Sequence, residues 1–227
     1  MERTAMSYNQ TTQTGHIGHS VEVHKVLRNT YFLLAMTLAF SAVTAGISMA
    51  MNFGFGMGLV FTLVAFGLIF VVQKKADSAS GIFWVFALTG CLGASIGPML
   101  NRFAATANGP ELIMQALGLT AVVFFSLSAY ALSSRKDFSF MGNFLFVGLI
   151  VVIVAGLANM FFQIPALHLA INAAVVMIMS GLILFDTSRI VNGGETNYIR
   201  ATVGLYLNIF NLFTSLLQLL GIMGSDD

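Results

Sequence analysis

Of the chain's 227 residues only 8% are charged, while 57% are hydrophobic. Soluble globular domains carry about 25% charged residues, so this composition cannot build the polar shell of a water-soluble enzyme, and it excludes a disordered chain as well. A formal net charge of +1 is far from the basic surface of a nucleic-acid binder, and no nucleic-acid partner is expected. The single cysteine, Cys91, allows no intramolecular disulfide and no cysteine-based metal site. What remains is an all-α, polytopic membrane protein whose first partner is the lipid bilayer.

Residues 1–29 stand apart from the rest. Ser7–Ser20 is polar, rich in Thr and Gln, and lacks a hydrophobic period, which predicts a flexible tail that includes Ser7, Thr11 and Gly15. Lys25 and Arg28 then precede an apolar run from Thr30 to Met51, long enough to span a bilayer rather than to be clipped as a signal peptide. Further runs of spanning length cover 56–73, 81–100, 112–133, 140–162, 166–186 and 201–223. The linkers carry breakers or charges: Asn52–Gly58, Gln73–Ser80, Asn101–Pro110, Ser133–Ser139, Gln163–Pro165 and Asp186–Arg200. A single helix from 140 to 186 would overshoot any bilayer, so Pro165 is read as the start of a new helix. The expected organisation is a tail over 1–29, a seven-helix domain over 30–223, and a short C-terminal tail over 224–227.

Charge placement sets the expected orientation. Arg3, Lys25, Arg28, Lys74, Lys75, Arg135, Lys136, Arg189 and Arg200 fall on the side of the N-terminus, and only Arg102 falls on the other. By the positive-inside rule the N-terminus is cytoplasmic, and seven spans then put the C-terminus outside. Tyr31, Trp84, Tyr130 and Tyr198 lie near the inner helix ends, as an interfacial aromatic belt requires.

With charge so scarce, polar residues at depth are the candidate functional residues. Asp186 closes the apolar run of the sixth helix, at a C-terminal end where the helix dipole disfavours an anion. It reads either as a proton- or cation-sensing carboxylate or as an interface residue paired with Arg189 or Arg200. Asn208 lies about 10 Å into the seventh helix at 1.5 Å per residue, a depth comparable with Asp186, so the two are expected within reach of each other. Asn143, Asn159, Asn172, Asn211 and Gln115 are read as helix–helix contacts. Gly93-Ala94-Ser95-Ile96-Gly97 matches the G-x-S-x-G pattern, and Ser95 and His168 fall at similar depth, which raises an intramembrane serine protease as an alternative. A nucleophile elbow needs a strand-to-helix turn, however. The same residues read more simply as a close-packing face built on Gly93 and Gly97. His16, His19 and His24 are scattered through the tail, and no metal site or cofactor is expected.

Several blocks together resemble the Bax inhibitor-1 family of seven-helix membrane proteins. They are His24–Tyr31, Gly90–Pro98, Ile164–Ala170, and the long stretch from Leu184 through Gly193–Thr202 to Leu205-Tyr206 and Asn211–Phe213. The resemblance implies a bundle in the bacterial inner membrane and two activities. Some members are pH-sensitive calcium leaks, in which protonation of an aspartate pair on the sixth and seventh helices opens a pore. Asp186 matches the first aspartate, and Asn208, which cannot ionise, stands at the second. An arginine that some leaks place on the second helix has no match before Lys74. Bacterial members similar to this chain look like slow substrates and modulators of the membrane protease FtsH. In that reading the tail around Ser7, Thr11 and Gly15 is the handle the protease seizes.

Overall fold

The structure, a computed structural model, describes residues 22–224. Its elements in chain order are α1 (Glu2–Ala50, described from Glu22), α2 (Phe55–Lys75), α3 (Gly81–Ala104), α4 (Gly109–Ser134), a 3-10 turn (Ser139–Met141), α5 (Gly142–Phe162), α6 (Pro165–Val191) and α7 (Tyr198–Met223). All seven α-helices are long and apolar enough to cross a membrane. Backbone polar groups in hydrocarbon must be satisfied within the chain, and helices do this segment by segment.

The turn at Pro165 is built as its chemistry dictates. Gln163 adopts φ 50°, its N–H bonds the Asn159 carbonyl, and Pro165 opens α6, where a missing N–H costs nothing. Two boundaries differ from the sequence reading. The first span begins earlier than 30, because Glu22–Asn29 are already helical and Val26 is buried in the core. Those eight residues therefore belong to α1 rather than to a tail. Ser7, Thr11 and Gly15, and the end of the chain at 225–227, lie outside the described residues. The sixth span continues past 186, because Thr187, Ser188 and Ile190 are buried and extend its packed face by more than a turn. Asp186 thus sits inside α6, before its last turn, and is not the helix-terminal anion that the run length suggested.

Two helices form the centre. In α3 and α7, 44% of the apolar window is buried, against 11% in the span holding α5. α1 and α2 pack on α3, α4 and α6 pack on α7, α1 bridges both centres, and α5 lies outside on α6. Elsewhere the large apolar side chains face outward, including Leu63, Phe70, Phe125, Val151 and Met177, as a surface solvated by lipid requires.

The α1–α3 contact shows how the sequence draws two backbones together. A Cβ placed on Gly93 would overlap the Ser41 carbonyl and the Thr44 hydroxyl, and one on Gly97 would overlap the Ser48 hydroxyl. Small residues at this spacing permit close approach in a membrane. Pro98 lacks the N–H that would bond the Ala94 carbonyl. Ser48 Oγ donates to that carbonyl at 2.8 Å, so the proline in mid-span is compensated by a hydroxyl from the neighbouring helix. Deeper in the bundle Tyr206 Oη donates to the Thr89 carbonyl at 3.2 Å and accepts from Ser41 Oγ at 2.6 Å. One buried phenol thereby ties α7 to both α3 and α1.

Replacing Gly97 by Leu should lower unfolding stability in detergent by about 1–3 kcal/mol, the usual cost of overpacking. Gly46 on the same helix pair meets nothing within 4 Å of an added Cβ. Thermal unfolding of Gly46→Ala should therefore stay within about 0.5 kcal/mol of the parent.

Candidate functional site

The polar residues singled out by the sequence converge at the end of the bundle where α6 hands over to α7. Asn208 is buried, and its Nδ2 donates to Asp186 Oδ2 at 2.7 Å. The approach depends on Gly204, one turn before Asn208. A Cβ there would stand 3.1 Å from the same carboxylate oxygen, tighter than an ordinary contact. Asp186 also lines a cavity of about 320 Å³ together with Arg189, Glu195, Arg200, Gln73 and Gly204 among others. A cavity this size with several polar partners has room for water.

Neither arginine holds Asp186. Arg189 Nη2 lies 3.8 Å from Glu195 Oε2 and donates to the Gly194 carbonyl at 3.3 Å, and its guanidinium stacks 5.6 Å from the Phe185 ring centroid. Arg200 Nη2 lies 2.6 Å from Asp77 Oδ2. Of the two readings of Asp186, the pairing with Arg189 or Arg200 is not formed, and the contact expected with Asn208 is. Both arginines still line the cavity, so positive and negative groups offset each other around one carboxylate. Among the described residues no three His, Cys, Asp or Glu side chains come together as a metal-binding group.

Asn197 organises this end. Its Oδ1 accepts from the Ile199 and Arg200 N–H groups at 2.9 and 3.1 Å, which caps α7. Its Nδ2 donates to the Ala76 carbonyl at 3.0 Å and to Asp77 Oδ1 at 2.8 Å, reaching the linker between α2 and α3. Arg200 sits in the first turn of α7, where a cation opposes the helix dipole. Asp77, held beside it by Asn197, supplies the compensating anion. The loop before Asn197 turns through Gly193 at φ 75°, which a side chain would strain. Gly194 N–H closes the end of α6 on the Arg189 carbonyl at 2.8 Å.

The remaining candidates lie elsewhere. Gly93 and Gly97 form the α1–α3 contact described above. Ser95 Oγ donates to the Leu92 carbonyl of its own helix at 2.7 Å and faces a cleft lined by α2, α3 and α7. His168 Nε2 is 3.3 Å from Asn172 Nδ2 within α6. α3 and α6 do not pack face to face, and Ser95 and His168 are not brought together. Sequence reasoning missed Asp77, Glu195, Asn197 and Gly204. An Asn just before an apolar run is a legible cap signal, whereas the Asp77–Arg200 pair spans 123 positions and has no local signature.

Two comparisons follow from this geometry. Asn208→Ala would leave a carboxylate oxygen without its buried partner, and should cost about 1–3 kcal/mol. Asn211 donates only to the Leu207 carbonyl of its own helix, so thermal unfolding of Asn211→Ala should fall within about 0.5 kcal/mol of the parent. At the cap, Asn197→Ala should cost about 1–2 kcal/mol. Asp77→Asn, which removes only an exposed ion pair, should cost less than about 1 kcal/mol by the same measurement.

Comparison with known proteins agrees with the fold. The family described as "Inhibitor of apoptosis-promoting Bax1" matches residues 23–225. An uncharacterized membrane protein of Vibrio cholerae is 55% identical over 217 residues, covering 95% of this chain and 97% of its own. The protein of Escherichia coli named "Modulator of FtsH protease YccA" is 52% identical over 207 residues, covering 91% of this chain and 94% of its own. In another strain of that species the relative with the same identity is named "Inner membrane protein YccA". An uncharacterized protein of Pseudomonas aeruginosa is 46% identical over 222 residues, covering 98% of this chain and all of its own. With this family matched from the first described turns of α1 to the end of α7, the chain belongs to the Bax inhibitor-1 family.

Proposed function

We propose that this protein is an inner-membrane modulator of the FtsH protease, which it engages as a slow substrate. The observation that carries the reading is the 52% identity, over 91% of the chain, to a protein named for that role. The architecture supports it. α3 and α7 are locked to their neighbours by the Gly93–Gly97 contact, the Ser48–Ala94 bond and the Tyr206 phenol. A bundle closed in this way resists extraction from the bilayer, because pulling out any helix exposes polar groups to hydrocarbon. A substrate that is seized and then released slowly occupies the enzyme and restrains it.

The same reading sets the topology. The end that carries Lys74, Lys75, Arg135, Lys136, Arg189 and Arg200 faces the cytoplasm, by the excess of Lys and Arg in its loops. The N-terminal segment with Ser7, Thr11 and Gly15 then lies on the side where an ATP-driven protease can take hold of it.

Two measurements test the proposal. The protein should co-purify with the FtsH complex from native membranes. Deletion of residues 2–24 should slow its turnover by FtsH while the remaining bundle keeps its thermal stability. Unchanged turnover would remove the handle, and absence from the purified complex would remove the modulator role.

A further inference from the structure

We propose that the cleft between α2, α3 and α7, at the end opposite the basic cluster, binds an anionic phospholipid whose phosphate pairs with Arg102. The cleft encloses about 340 Å³, and its walls include Phe55, Leu59, Thr62, Ser95, Arg102 and Gln218. It exists because α2 packs on α3 and leaves α7 uncovered beside it. The two helices approach closely at Gly58, where an added Cβ would stand 2.9 Å from the Ser95 carbonyl.

Arg102 occupies the last turn of α3 and is, among the described residues, the only Lys or Arg at its end of the bundle. Its guanidinium lies 5.9 Å from the Phe55 ring centroid. Arg189 and Arg200 each have a carboxylate within 4.0 Å; among the described residues Arg102 has none. One face of this cation is thus turned to an aromatic ring, and its remaining donors have no anion. Thr62 and Ser95 spend their hydroxyl protons on the Gly58 and Leu92 carbonyls, so both keep lone pairs for a donor. The Gln218 amide has no hydrogen-bond partner among the described residues.

The charge calls for an anion, and the Phe55 and Leu59 walls call for hydrocarbon. One ligand class meets both demands at headgroup depth. A free phosphate would leave the apolar walls unfilled. A zwitterionic lipid brings its own cation, which Arg102 repels and which competes for the phosphate. A phosphatidylglycerol headgroup instead carries a single negative charge, with hydroxyls that can donate to Thr62 and Ser95. Leu59 and Leu63 on the outer face of α2 are exposed, so a lipid has lateral access.

The test is a titration of the full chain, delipidated in detergent, with phosphatidylglycerol, and native mass spectrometry reads the lipid-bound fraction. Phosphatidylethanolamine and inorganic phosphate serve as comparators. Wild type should prefer phosphatidylglycerol. Arg102→Gln should weaken that binding roughly tenfold, the size of a lost charge-assisted hydrogen bond, and Arg102→Lys should recover part of it. Gln218→Leu should weaken it less, and Arg135→Gln at the opposite end should leave it unchanged. Thermal unfolding of each variant confirms that the bundle is intact. Equal binding of the two lipids by wild type, undiminished binding by Arg102→Gln, or full displacement of the lipid by inorganic phosphate would each overturn the assignment.

Discussion

The structure depends on one constraint: a carbonyl freed inside a bilayer has no water to turn to. Pro98 frees such a carbonyl at Ala94, in the middle of a central helix. Ser48 supplies the missing donor, but only because Gly97 lets α1 come close enough for a hydroxyl on a short side chain to reach. Proline, glycine and serine therefore form one device spread over two helices. Removing the glycine would strand the carbonyl as well as crowd the contact. Gly93 repeats the approach one turn earlier against Ser41, whose hydroxyl goes on to Tyr206. Close backbone approach and polar satisfaction are thus a single requirement, and it fixes α1, α3 and α7 relative to each other.

The same economy governs the far end of α7. Its first turn would carry uncapped N–H groups and an arginine that the helix dipole disfavours. Asn197 meets the first need with its carbonyl oxygen and the second with its amide, which holds Asp77 beside Arg200. Asp186 is treated likewise, satisfied by an amide rather than by a charge. A carboxylate held by an amide faces no like-charged neighbour on α7. An acid pair that shares a proton and attracts a divalent cation is a different site, because its behaviour comes from the repulsion between two anions. The Asn208 amide removes that repulsion, and what it leaves is a fixed carboxylate at the wall of a polar cavity.

The fold was legible because it is written in run lengths. Seven apolar stretches and a proline that must start a helix gave the element order, and the scarcity of charge gave the membrane. Helix ends were less legible, for a physical reason. Thr187 and Ser188 look like linker residues by polarity, yet both are buried: Ser188 bonds the Lys136 carbonyl at 2.9 Å and Thr187 lies 3.4 Å from the Ser128 hydroxyl. In a membrane bundle, Ser and Thr also mark contacts between helices, where their hydroxyls bond across the interface. The G-x-S-x-G run was ambiguous for a related reason. Its glycines suit a strained turn or a close helix crossing, and only the position of α1 decides between them. Asp186 and Asn208 were brought together by counting depth along two helices. Asp77 carries no such signal, since it lies in the linker between α2 and α3 while its partner Arg200 lies in the first turn of α7, 123 positions away.

Two polar openings in the bundle share a cause. Both lie beside α2, which packs on α3 and leaves α7 uncovered. At one end Ile69 and Gln73 face Ala201, Gly204 and Leu207 across the cavity that holds Asp186. At the other, Leu59 and Thr62 face Gln218 across the cleft at Arg102. A helix held along one edge and tied at its end by Asn197 and Asp77 leaves a seam along its other edge. On α7 this seam is lined by Gly204 and Leu207 at one end and Gln218 at the other, and Asn211 and Thr214 follow between them at helical spacing, all five only partly buried. Three of the five are polar, on a helix whose opposite face buries Leu205, Leu212 and Leu217 completely. α7 therefore has one face buried in the bundle and one left partly open, and the placement of α2 turns the second face into two separate sites, each with its own charge.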